Sequence, residues 1–450
     1  MENSAKPDPR SLLNALQQFA AQHAIETWYL AYSGGLDSQV LLHLLAASSL
    51  PVSAVYVDHG LQAESLQWAE HCRDSCSRLQ VPFQMISVDA RPQPGQSPEA
   101  AAREARYTAL ARLIGPQCAL LTAQHQDDQA ETLLLQLLRG AGAAGLAAMP
   151  YSNRFAAGWH LRPLLNWRRQ AIAEYAEQEH LNWVEDPSNH SPAYDRNFLR
   201  HRVVPVLAER WPSFSVTLAR AAELQAEQAE LLDELAERDL KQVSSEQGCP
   251  QVDALAEFSH ARQANLLRCW IRQSGFTLPS RAVVDQVLQQ MLAPREDADP
   301  VVSWGGVVMR RYRGELYLLA DNPHDPAQRL DWQPRQSLYL PGLRQILQMQ
   351  ASGAEHVGLK STLAAETLQV RFRQGREKIQ PPGRGGHHSL KNLFQEAGVP
   401  PWLRDRIPLL FLGDELVAVV GYWIAAEYAA AEGETAVLPV LLKEAGGTTH

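Results

Sequence analysis

The sequence has few cysteines and no long apolar segment. Its five cysteines are scattered over 450 residues, without a C-x-x-C pair or the spacing of a disulfide framework or zinc site. No run of about 18 apolar residues occurs, so no membrane-spanning helix is predicted. The N-terminal segment is polar and lacks the apolar core of a signal peptide. We therefore expect a soluble cytoplasmic protein with no disulfides and no membrane contact.

Positive charge is scarce overall but locally concentrated. The net charge is −9, which argues against non-specific binding to DNA. Residues 223–239 contain seven acidic residues and one basic residue, whereas residues 371–391 contain six basic residues and one acidic residue. A basic segment on an acidic protein predicts contact with a polyanion at that place. An ordinary solvated surface is the alternative.

Apolar runs alternate with helical patterns over the first 210 residues, which predicts a doubly wound parallel α/β sheet. We expect a catalytic domain at 1–210, a connecting helix at 211–240, a mostly helical substrate-binding middle domain at 241–340 and a basic α+β domain at 358–442. A proline-rich junction is predicted between residues 322 and 341. Ligands of such sheets bind at the carboxyl ends of the strands.

A glycine pair lies between the first predicted strand and the following helix, where backbone N–H groups can hold an anion. The usual phosphate-loop lysine is missing, and an aspartate stands near its place. Because a carboxylate repels phosphates unless a divalent cation intervenes, we expect Asp37 to act through Mg²⁺. The predicted phosphate loop consists of Ser33, Gly34, Gly35, Leu36, Asp37 and Ser38.

Acidic residues open the helix that follows a later strand. His125 ends the strand, and Asp127, Asp128 and Glu131 lie in the first turns of the helix, where they share a face. Acids in a first helical turn also complement the helix dipole, which is the simpler interpretation. Beside a nucleotide loop, they suit a cationic substrate whose amine must lose a proton before it attacks.

Arginines form a complementary set. A clamp on the α-phosphate is one interpretation, and surface ion pairs with nearby acids are the other. The turn from Asp186 to Asn189 is expected to fix local backbone. The arginines of this set are Arg103, Arg106, Arg162, Arg196 and Arg200.

The loop SGGLDS resembles the PP-loop of the N-type ATP pyrophosphatases, which bind the pyrophosphate part of ATP there. An ordered set of further blocks is similar to the tRNA(Ile)-lysidine synthetase family, although the similarity is weakest across about 241–350. These blocks are YVDHGL, TAQHQDDQAETLLLQLLRG, LRPLL, WVEDPSN, RNFLRHRVVP and the tail GRGGHHSLKNLFQEAGVPPWLRDRIPLLFLGDELVAV. The resemblance implies an adenine nucleotide alpha hydrolase-like catalytic domain.

The resemblance also implies a reaction. The family activates the first anticodon cytidine of an isoleucine tRNA with anticodon CAU by adenylation, and free L-lysine then displaces AMP at C2. ATP with Mg²⁺ would bind residues 33–38, Asp58 and His125, and lysine would bind Asp127, Asp128 and Glu131. The expected catalytic residues are Asp37, Asp127, Glu131, Arg103 and Arg196, and the expected phosphate clamp is Arg106, Arg162 and Arg200.

The basic segment and the family tail together predict tRNA binding. Glycines there give a mobile backbone, and Trp402 supplies a ring that could stack on exposed bases. The expected tRNA-binding residues are Arg376, Lys378, Arg384, Lys391 and Arg404.

Two alternatives remain open on the sequence. One is another PP-loop enzyme, such as a tRNA thiolase or an amidotransferase-type synthetase, although the paired catalytic cysteines of a thiolase are missing. Cys72 and Cys76 are predicted to be small core residues. The other is an RNA-binding module with an inactive nucleotide fold. The oligomeric state also stays open, with a homodimer as one alternative.

Overall fold

The computed structural model of the chain describes residues 8–443 with several gaps. The gaps are 49, 61–64, 93–96, 186–193, 293–299, 323, 353–357 and 432. The predicted turn from Asp186 to Asn189 therefore lies outside the described residues. The chain divides into two compact units between Leu232 and Asp233. The finer domain limits stay a prediction.

A six-stranded sheet with helices on both faces forms the first unit, in the order β3-β2-β1-β4-β6-β5. Every neighbouring pair is parallel except β5 and β6. The strands are β1 (Thr27–Ala31), β2 (Val52–Asp58), β3 (Phe83–Ser87), β4 (Cys118–Leu121), β5 (Ser152–Phe155) and β6 (Gly158–Leu161). The helices are α1 (Pro9–His23), α2 (Leu36–Ala46), α3 (Ser65–Arg78), α4 (Pro98–Ala111), α5 (Gln126–Leu138), α6 (Ala143–Leu146), α7 (Arg169–Gln178), α8 (Asp195–Phe198) and α9 (Val204–Arg210). The predicted α/β class and doubly wound sheet are confirmed.

The centre of this sheet is apolar on both faces, as expected for parallel strands covered by helices. Trp28 and Leu30 of β1 are fully buried on one face. Helix α2 is buried over most of its circumference, through an apolar C-terminal part and the small or amide side chains of Ser38 and Gln39 in its first turn. This packing fixes the start of α2 directly behind the end of β1.

The strand order reverses direction next to β1. The chain runs outward from β1 to β2 and β3, and then returns to place β4 on the other side of β1. At such a switch point the loops after the two adjacent strands separate and leave a crevice. The loops after β1 and β4 contain residues 33–38 and His125.

The second unit begins inside α10 (Phe214–Val243), a 30-residue helix. Three helices then pack with an antiparallel sheet around one apolar core. These helices are α11 (Val252–Ala256), α12 (His260–Gln273) and α13 (Arg281–Met291), and the strands are β7 (Val301–Trp304), β8 (Val307–Tyr312) and β9 (Glu315–Ala320).

The remaining strands form small antiparallel sheets in the C-terminal part, together with two short helices. The strands are β10 (Leu330–Trp332), β11 (Leu338–Leu340), β12 (Gln345–Ala351), β13 (Leu359–Lys360), β14 (Leu368–Arg371), β15 (Lys378–Ile379), β16 (His388–Ser389), β17 (Leu409–Leu412), β18 (Glu415–Val419), β19 (Trp423–Ile424) and β20 (Ala436–Lys443). The helices are α14 (Leu390–Glu396) and α15 (Pro401–Arg404). The small mixed helix and sheet region predicted for the C-terminal part is confirmed.

The predicted proline-rich junction at 322–341 is wrong in part. Strand β10 pairs with β14, and β11 pairs with β12, so both belong to the C-terminal sheets. Each strand has only three residues, too few to produce a clear alternation in the sequence. Among the described residues, no helix is long and apolar enough to cross a membrane.

Candidate active site

The site lies at the carboxyl ends of β1 and β4. The glycine loop leaves β1 and enters α2, and the acidic segment leaves β4 and enters α5. Because these strands are adjacent at the switch point, residues about ninety positions apart in sequence meet there: Asp37 Oδ2 lies 3.7 Å from His125 Nε2.

The loop has the backbone of an anion site. Gly35 precedes α2 as its N-cap and supplies no side chain to the free N–H groups of the first turn. These groups and the positive end of the helix dipole therefore remain available to an anion. The hydroxyls of Ser33 and Ser38 lie 3.2 Å apart, and Ser38 also accepts a hydrogen bond from the Ser33 N–H.

Gly34 is required by the loop geometry. Its φ of +78° is in the left-handed region, and a Cβ there would lie 2.8 Å from the Sγ of Cys72. Cys72 is fully buried beneath the loop, as is Cys76 one turn later, so the predicted core placement of both is confirmed. Burial raises the pKa of each thiol to about 12, and both stay protonated near neutral pH. Neither has the character of the thiolate that a sulfur-transfer nucleophile needs.

His125 joins the two loops. It caps α5 by accepting the Asp128 N–H at Nδ1 over 3.3 Å, and the Asp128 carboxylate accepts the His125 backbone N–H in return. In the neutral ring this assigns the proton to Nε2. Nε2 faces carboxylate oxygens of Asp128 at 3.4 Å and Asp37 at 3.7 Å. The buried imidazole thus holds the two acids at fixed positions.

Two arginines from α8 and the following π-helical turn (Leu199–Val203) complete the cluster. Arg196 donates to Glu131 at 2.9 Å and to Asp128 at 3.0 Å. Arg200 donates to both Glu131 oxygens, at 2.7 and 2.9 Å, and to Asp128 at 3.0 Å. The side chain of Glu131 is only 3% exposed. The ion-pair alternative weighed for these arginines is therefore present in this structure.

Burial and neighbouring charge act in opposite directions on these groups. Burial raises the pKa of the Asp37 carboxyl above its ordinary value, and the nearby Asp128 adds to this effect. Burial alone would also raise the pKa of Asp128, but His125 and both arginines outweigh it and lower that pKa. Burial would lower the pKa of Arg196 and Arg200, but the carboxylates raise both. Asp128 and the arginines therefore form a stable charged set, whereas at Asp37 the opposing effects of His125, Arg169 and Arg200 do not outweigh burial.

Asp37 offers one free ligand atom. Its Oδ1 is buried and, among the described residues, has no hydrogen-bond partner. A lone carboxylate oxygen beside a phosphate loop fits a divalent cation of the Mg²⁺ type, which prefers one or two carboxylates together with phosphate oxygens. Asp37 is therefore the residue of this loop that is suited to hold the metal.

Asp127 has a different environment from its neighbours. Its Oδ2 accepts the backbone N–H of Arg169 over 2.8 Å and so caps α7. It lies 3.8 Å from the Nδ1 of His125 and is about a quarter exposed. Asp127 therefore lies at the border of the site, and one of its carboxylate oxygens is bonded to the start of α7.

Two predicted phosphate ligands lie on α4, beside the end of β2. The guanidinium of the exposed Arg106 contacts His59 Nε2 at 3.1 and 3.3 Å. Burial and then Arg106 lower the pKa of His59, which keeps that ring neutral and able to accept. Arg103 lies over the ring of Tyr107. Asp58 is buried and accepts the Gly60 N–H, so it fixes the turn after β2.

Arg162 lies apart from the acid cluster, in a buried network after β6. Its guanidinium donates to the carbonyl of Pro150 at 2.7 Å and to Asn153 at 2.9 Å. It also lies 3.2 Å from His160 Nδ1, and His160 Nε2 lies 2.7 Å from the hydroxyl of Thr122. The structure gives no contact between Arg162 and the acids.

The basic residues of the C-terminal part are not equivalent. Arg384 pairs with Glu396 at 2.8 Å, and Arg404 is half-buried and donates to the Val399 carbonyl. Of the five predicted tRNA-binding residues, Arg376, Lys378 and Lys391 are exposed, and the described part of the chain shows no ion pair for them. Among these five, they are the cations most available to a polyanion.

Trp402 does not stand free as a stacking platform. Its half-buried ring packs edge-on against Tyr312 and Tyr317, and the guanidinium of Arg310 lies 5.1 Å from the ring centre. The expectation that this ring stacks on RNA bases therefore does not fit its surroundings in this structure.

Two histidines of this region, His59 and His160, could not be selected from the sequence patterns. His59 lies inside the block YVDHGL, next to the selected Asp58, and its contact with Arg106 is the signal that distinguishes it. His160 is one polar residue in an apolar strand, and its partner Thr122 is 38 positions away.

The fold and the site together are those of a PP-loop protein, a class that uses ATP. The family model of the PP-loop domain matches residues 9–207, the TilS substrate binding domain matches 251–317, and the TilS substrate C-terminal domain matches 368–440.

Curated relatives cover nearly the whole chain. The tRNA(Ile)-lysidine synthase of Coxiella burnetii is 42% identical over 89% of this chain and 90% of its own length. That of Alkalilimnicola ehrlichii is 44% identical over 90% of this chain and 91% of its own. The tRNA(Ile)-lysidine synthase of Escherichia coli O157:H7 is 42% identical over 90% of this chain and 94% of its own length. The chain belongs to the tRNA(Ile)-lysidine synthase family, which confirms the resemblance seen in the sequence.

Proposed function

We propose that the protein ligates free L-lysine to C2 of the cytidine at the first anticodon position of an isoleucine tRNA with anticodon CAU. ATP is converted to AMP and diphosphate, and the product base is lysidine. The observation that carries this proposal is the contact-linked cluster in which the phosphate loop, a buried imidazole and an acid–arginine network meet at one switch point. Family membership supplies the substrate class, and tRNA modification fits a cytoplasmic protein.

In the first step the cytidine O2 attacks the α-phosphate and diphosphate leaves. The N–H groups of residues 33–38 and the start of α2 hold the diphosphate. Asp37 is the residue that would hold Mg²⁺, which when bound would neutralise phosphate charge. Arginine side chains stabilise the charge that builds on the α-phosphate. Candidates for this role are Arg103, Arg106, Arg162, Arg196 and Arg200.

In the second step the ε-amine of lysine attacks C2 and AMP leaves. The amine must first lose a proton to a nearby base. Asp127, Asp128 and Glu131 are the proposed lysine site, and Asp127 is the acid among them that carries no ion pair to an arginine. Asp58 and His125 complete the ATP site, Asp58 through the turn after β2 and His125 through its link to Asp37.

The test of the function is one incubation of the protein with isoleucine tRNA, ATP and labelled lysine. We expect label in the tRNA together with release of AMP and diphosphate. A tRNA thiolase would leave lysine unincorporated, and an inactive RNA-binding module would release neither product.

Asp37→Ala should abolish tRNA-dependent diphosphate release, because the phosphates lose their metal-holding carboxylate. Asp74→Ala, which removes an exposed acid from α3, is the matched control and should release diphosphate at the wild-type rate. Unchanged release by Asp37→Ala would refute the metal role of this residue.

A further inference from the structure

The proposed lysine site is already filled by cations of the chain itself. Asp128 and Glu131 together accept five hydrogen bonds from Arg196 and Arg200, at 2.7 to 3.0 Å. The second oxygen of Asp128 faces His125. All four oxygens of the two carboxylates are therefore engaged, and an ammonium group could reach them only by sharing oxygens that already accept from the arginines or from His125.

The charge of the two guanidinium groups also opposes the binding of a further cation to Asp128 and Glu131. The carboxylates are nearly buried, with side-chain exposures of 12% and 3%, and two guanidinium groups balance their two negative charges. An ammonium added beside these guanidinium groups would meet like charge in a region of low dielectric. Lysine can therefore bind Asp128 and Glu131 only when at least one arginine leaves them.

The arginines are placed so that they can leave. Their side chains are 27% and 26% exposed, whereas those of Asp128 and Glu131 are 12% and 3% exposed, so the arginines are the more accessible partners of the cluster. Arg200 lies in the π-helical turn Leu199–Val203, and such turns occur frequently at functional sites. The phosphate loop is next to the cluster, because His125 contacts both Asp37 and Asp128.

We propose that Arg196 and Arg200 are exchangeable counter-ions that make lysine binding depend on the nucleotide. Without nucleotide they occupy the carboxylates of Asp128 and Glu131. When a nucleotide binds, its phosphates draw the guanidinium groups toward the loop, and the lysine ammonium takes the vacated carboxylates. The inference rests on the proposed function. It means that the same two arginines either cover the lysine site or clamp the phosphates, and that the nucleotide shifts the balance between these two states.

The first test uses the unaltered protein. Equilibrium dialysis measures binding of labelled lysine with and without Mg²⁺ and an α,β-methylene analogue of ATP, which cannot release diphosphate. We expect lysine to bind at least tenfold more tightly with the analogue, and lysine to tighten analogue binding by the same factor, because coupling between two ligands is reciprocal. Equal lysine affinity in both conditions, or no lysine binding in either, overturns the inference.

The second test changes one counter-ion. Arg200→Gln should bind lysine at least fivefold more tightly than the wild type without nucleotide, and should show a smaller effect of the analogue. Arg202→Gln, which removes an exposed arginine from the same turn, should behave as the wild type. Unaltered lysine affinity in a folded Arg200→Gln protein would contradict the proposed exchange of counter-ions. If that variant does not fold, the dialysis measurement on the wild type decides whether the exchange occurs.

Failure of the exchange differs from failure of the function. If lysine binding is independent of nucleotide while labelled lysine still enters the tRNA, only the exchange is wrong. If no lysine enters the tRNA under any condition, the proposed function is wrong.

Discussion

A single buried imidazole shows how one residue joins the ends of two neighbouring strands, β4 and β6. His160 is 2% exposed and connects Arg162 at Nδ1 with Thr122 at Nε2. Because Nδ1 accepts from the guanidinium, the ring donates from Nε2 to the hydroxyl after β4. Burial lowers the pKa of His160 to about 3, and Arg162 and Arg103 add to the effect. The ring therefore stays neutral throughout the ordinary pH range.

This lowered pKa predicts a loss of stability in acid. An unfolded histidine binds a proton near pH 6.5, whereas the folded chain does not bind it until about pH 3. The free energy of unfolding should thus be highest above pH 6.5 and fall between pH 6.5 and pH 3. His160→Gln should be about 1–3 kcal/mol less stable near pH 7.5, because a buried hydrogen bond is lost, but should lose less on acidification.

Thermal unfolding of the full chain between pH 4.5 and pH 7.5 measures the difference. His180→Asn is the control, since His180 is exposed and has a φ of +52° that asparagine tolerates. The control should lose stability in acid as the wild type does. An identical acid slope in His160→Gln would show that another group governs this range.

Elements rather than isolated residues build the anion site. The free N–H groups belong to the first turn of α2, and their position depends on how β1, the glycine loop and α3 pack. Cys72 of α3 fills the space beneath the loop, so the close approach at Gly34 couples one helix to the start of another.

Gly34→Ala should therefore damage stability and nucleotide binding together. A φ of +78° strains any residue with a Cβ, and the new methyl would lie 2.8 Å from the Cys72 sulfur. We expect a loss of about 1–3 kcal/mol in unfolding free energy and nucleotide affinity at least tenfold weaker, measured by chemical denaturation and by titration with an ATP analogue.

The neighbouring glycine supplies the control. Gly35 has a φ of −73°, and its nearest atom to a new Cβ would be 3.6 Å away, so Gly35→Ala should lose less stability than Gly34→Ala, through the poorer N-cap alone. Adding Cys72→Ala to Gly34→Ala should recover part of the loss, because the contact is relieved but the backbone strain remains. Wild-type stability of Gly34→Ala alone would contradict this account of the loop.

Elements with strong periodic patterns could be predicted, and short ones could not. The apolar runs of β1 to β4 and the polar residues at their ends were sufficient to predict a parallel sheet with a nucleotide site at its carboxyl edge. Strands β10 and β11 escaped prediction because each has three residues and is paired only by distant partners. The pairing of Glu131 with Arg196 and Arg200 was one of two alternatives, since spacing along a helix cannot decide what lies opposite it in space.

The whole molecule carries net negative charge but exposes unpaired cations in its C-terminal part. Several nearby arginines are occupied by carboxylates: Arg371 contacts Asp414, Arg373 contacts Asp405 and Arg384 contacts Glu396. Binding to a nucleic acid releases counter-ions in proportion to the phosphates that are contacted. The affinity for a nucleic acid should therefore depend on the cations that have no ion pair in the described part of the chain, and not on the total number of basic residues.

Lys378→Ala combined with Lys391→Ala should weaken tRNA binding at every salt concentration. We expect the slope of log affinity against log salt concentration to become shallower by about 2, because two phosphate contacts are lost. Filter binding of tRNA between 50 and 300 mM salt measures it.

Arg238→Ala combined with Lys241→Ala is the control, since it removes two exposed cations from the acidic helix α10 and changes the net charge equally. Its salt slope should match that of the wild type. A slope that changes equally in both variants would mean that net charge, and not this surface, governs binding.

The arginine–carboxylate cluster also orders events during synthesis of the chain. Glu131 precedes its partner Arg196 by 65 positions. At about 5–20 residues per second, the acid is made roughly 3–13 seconds before the arginine that neutralises it. Until then, carboxylates that will be buried lack both of their arginine partners, so the edge of the sheet where catalysis is proposed can be completed only after α8 has been made. The nascent protein therefore acquires its scaffold first and its chemistry only when the ribosome has passed α8.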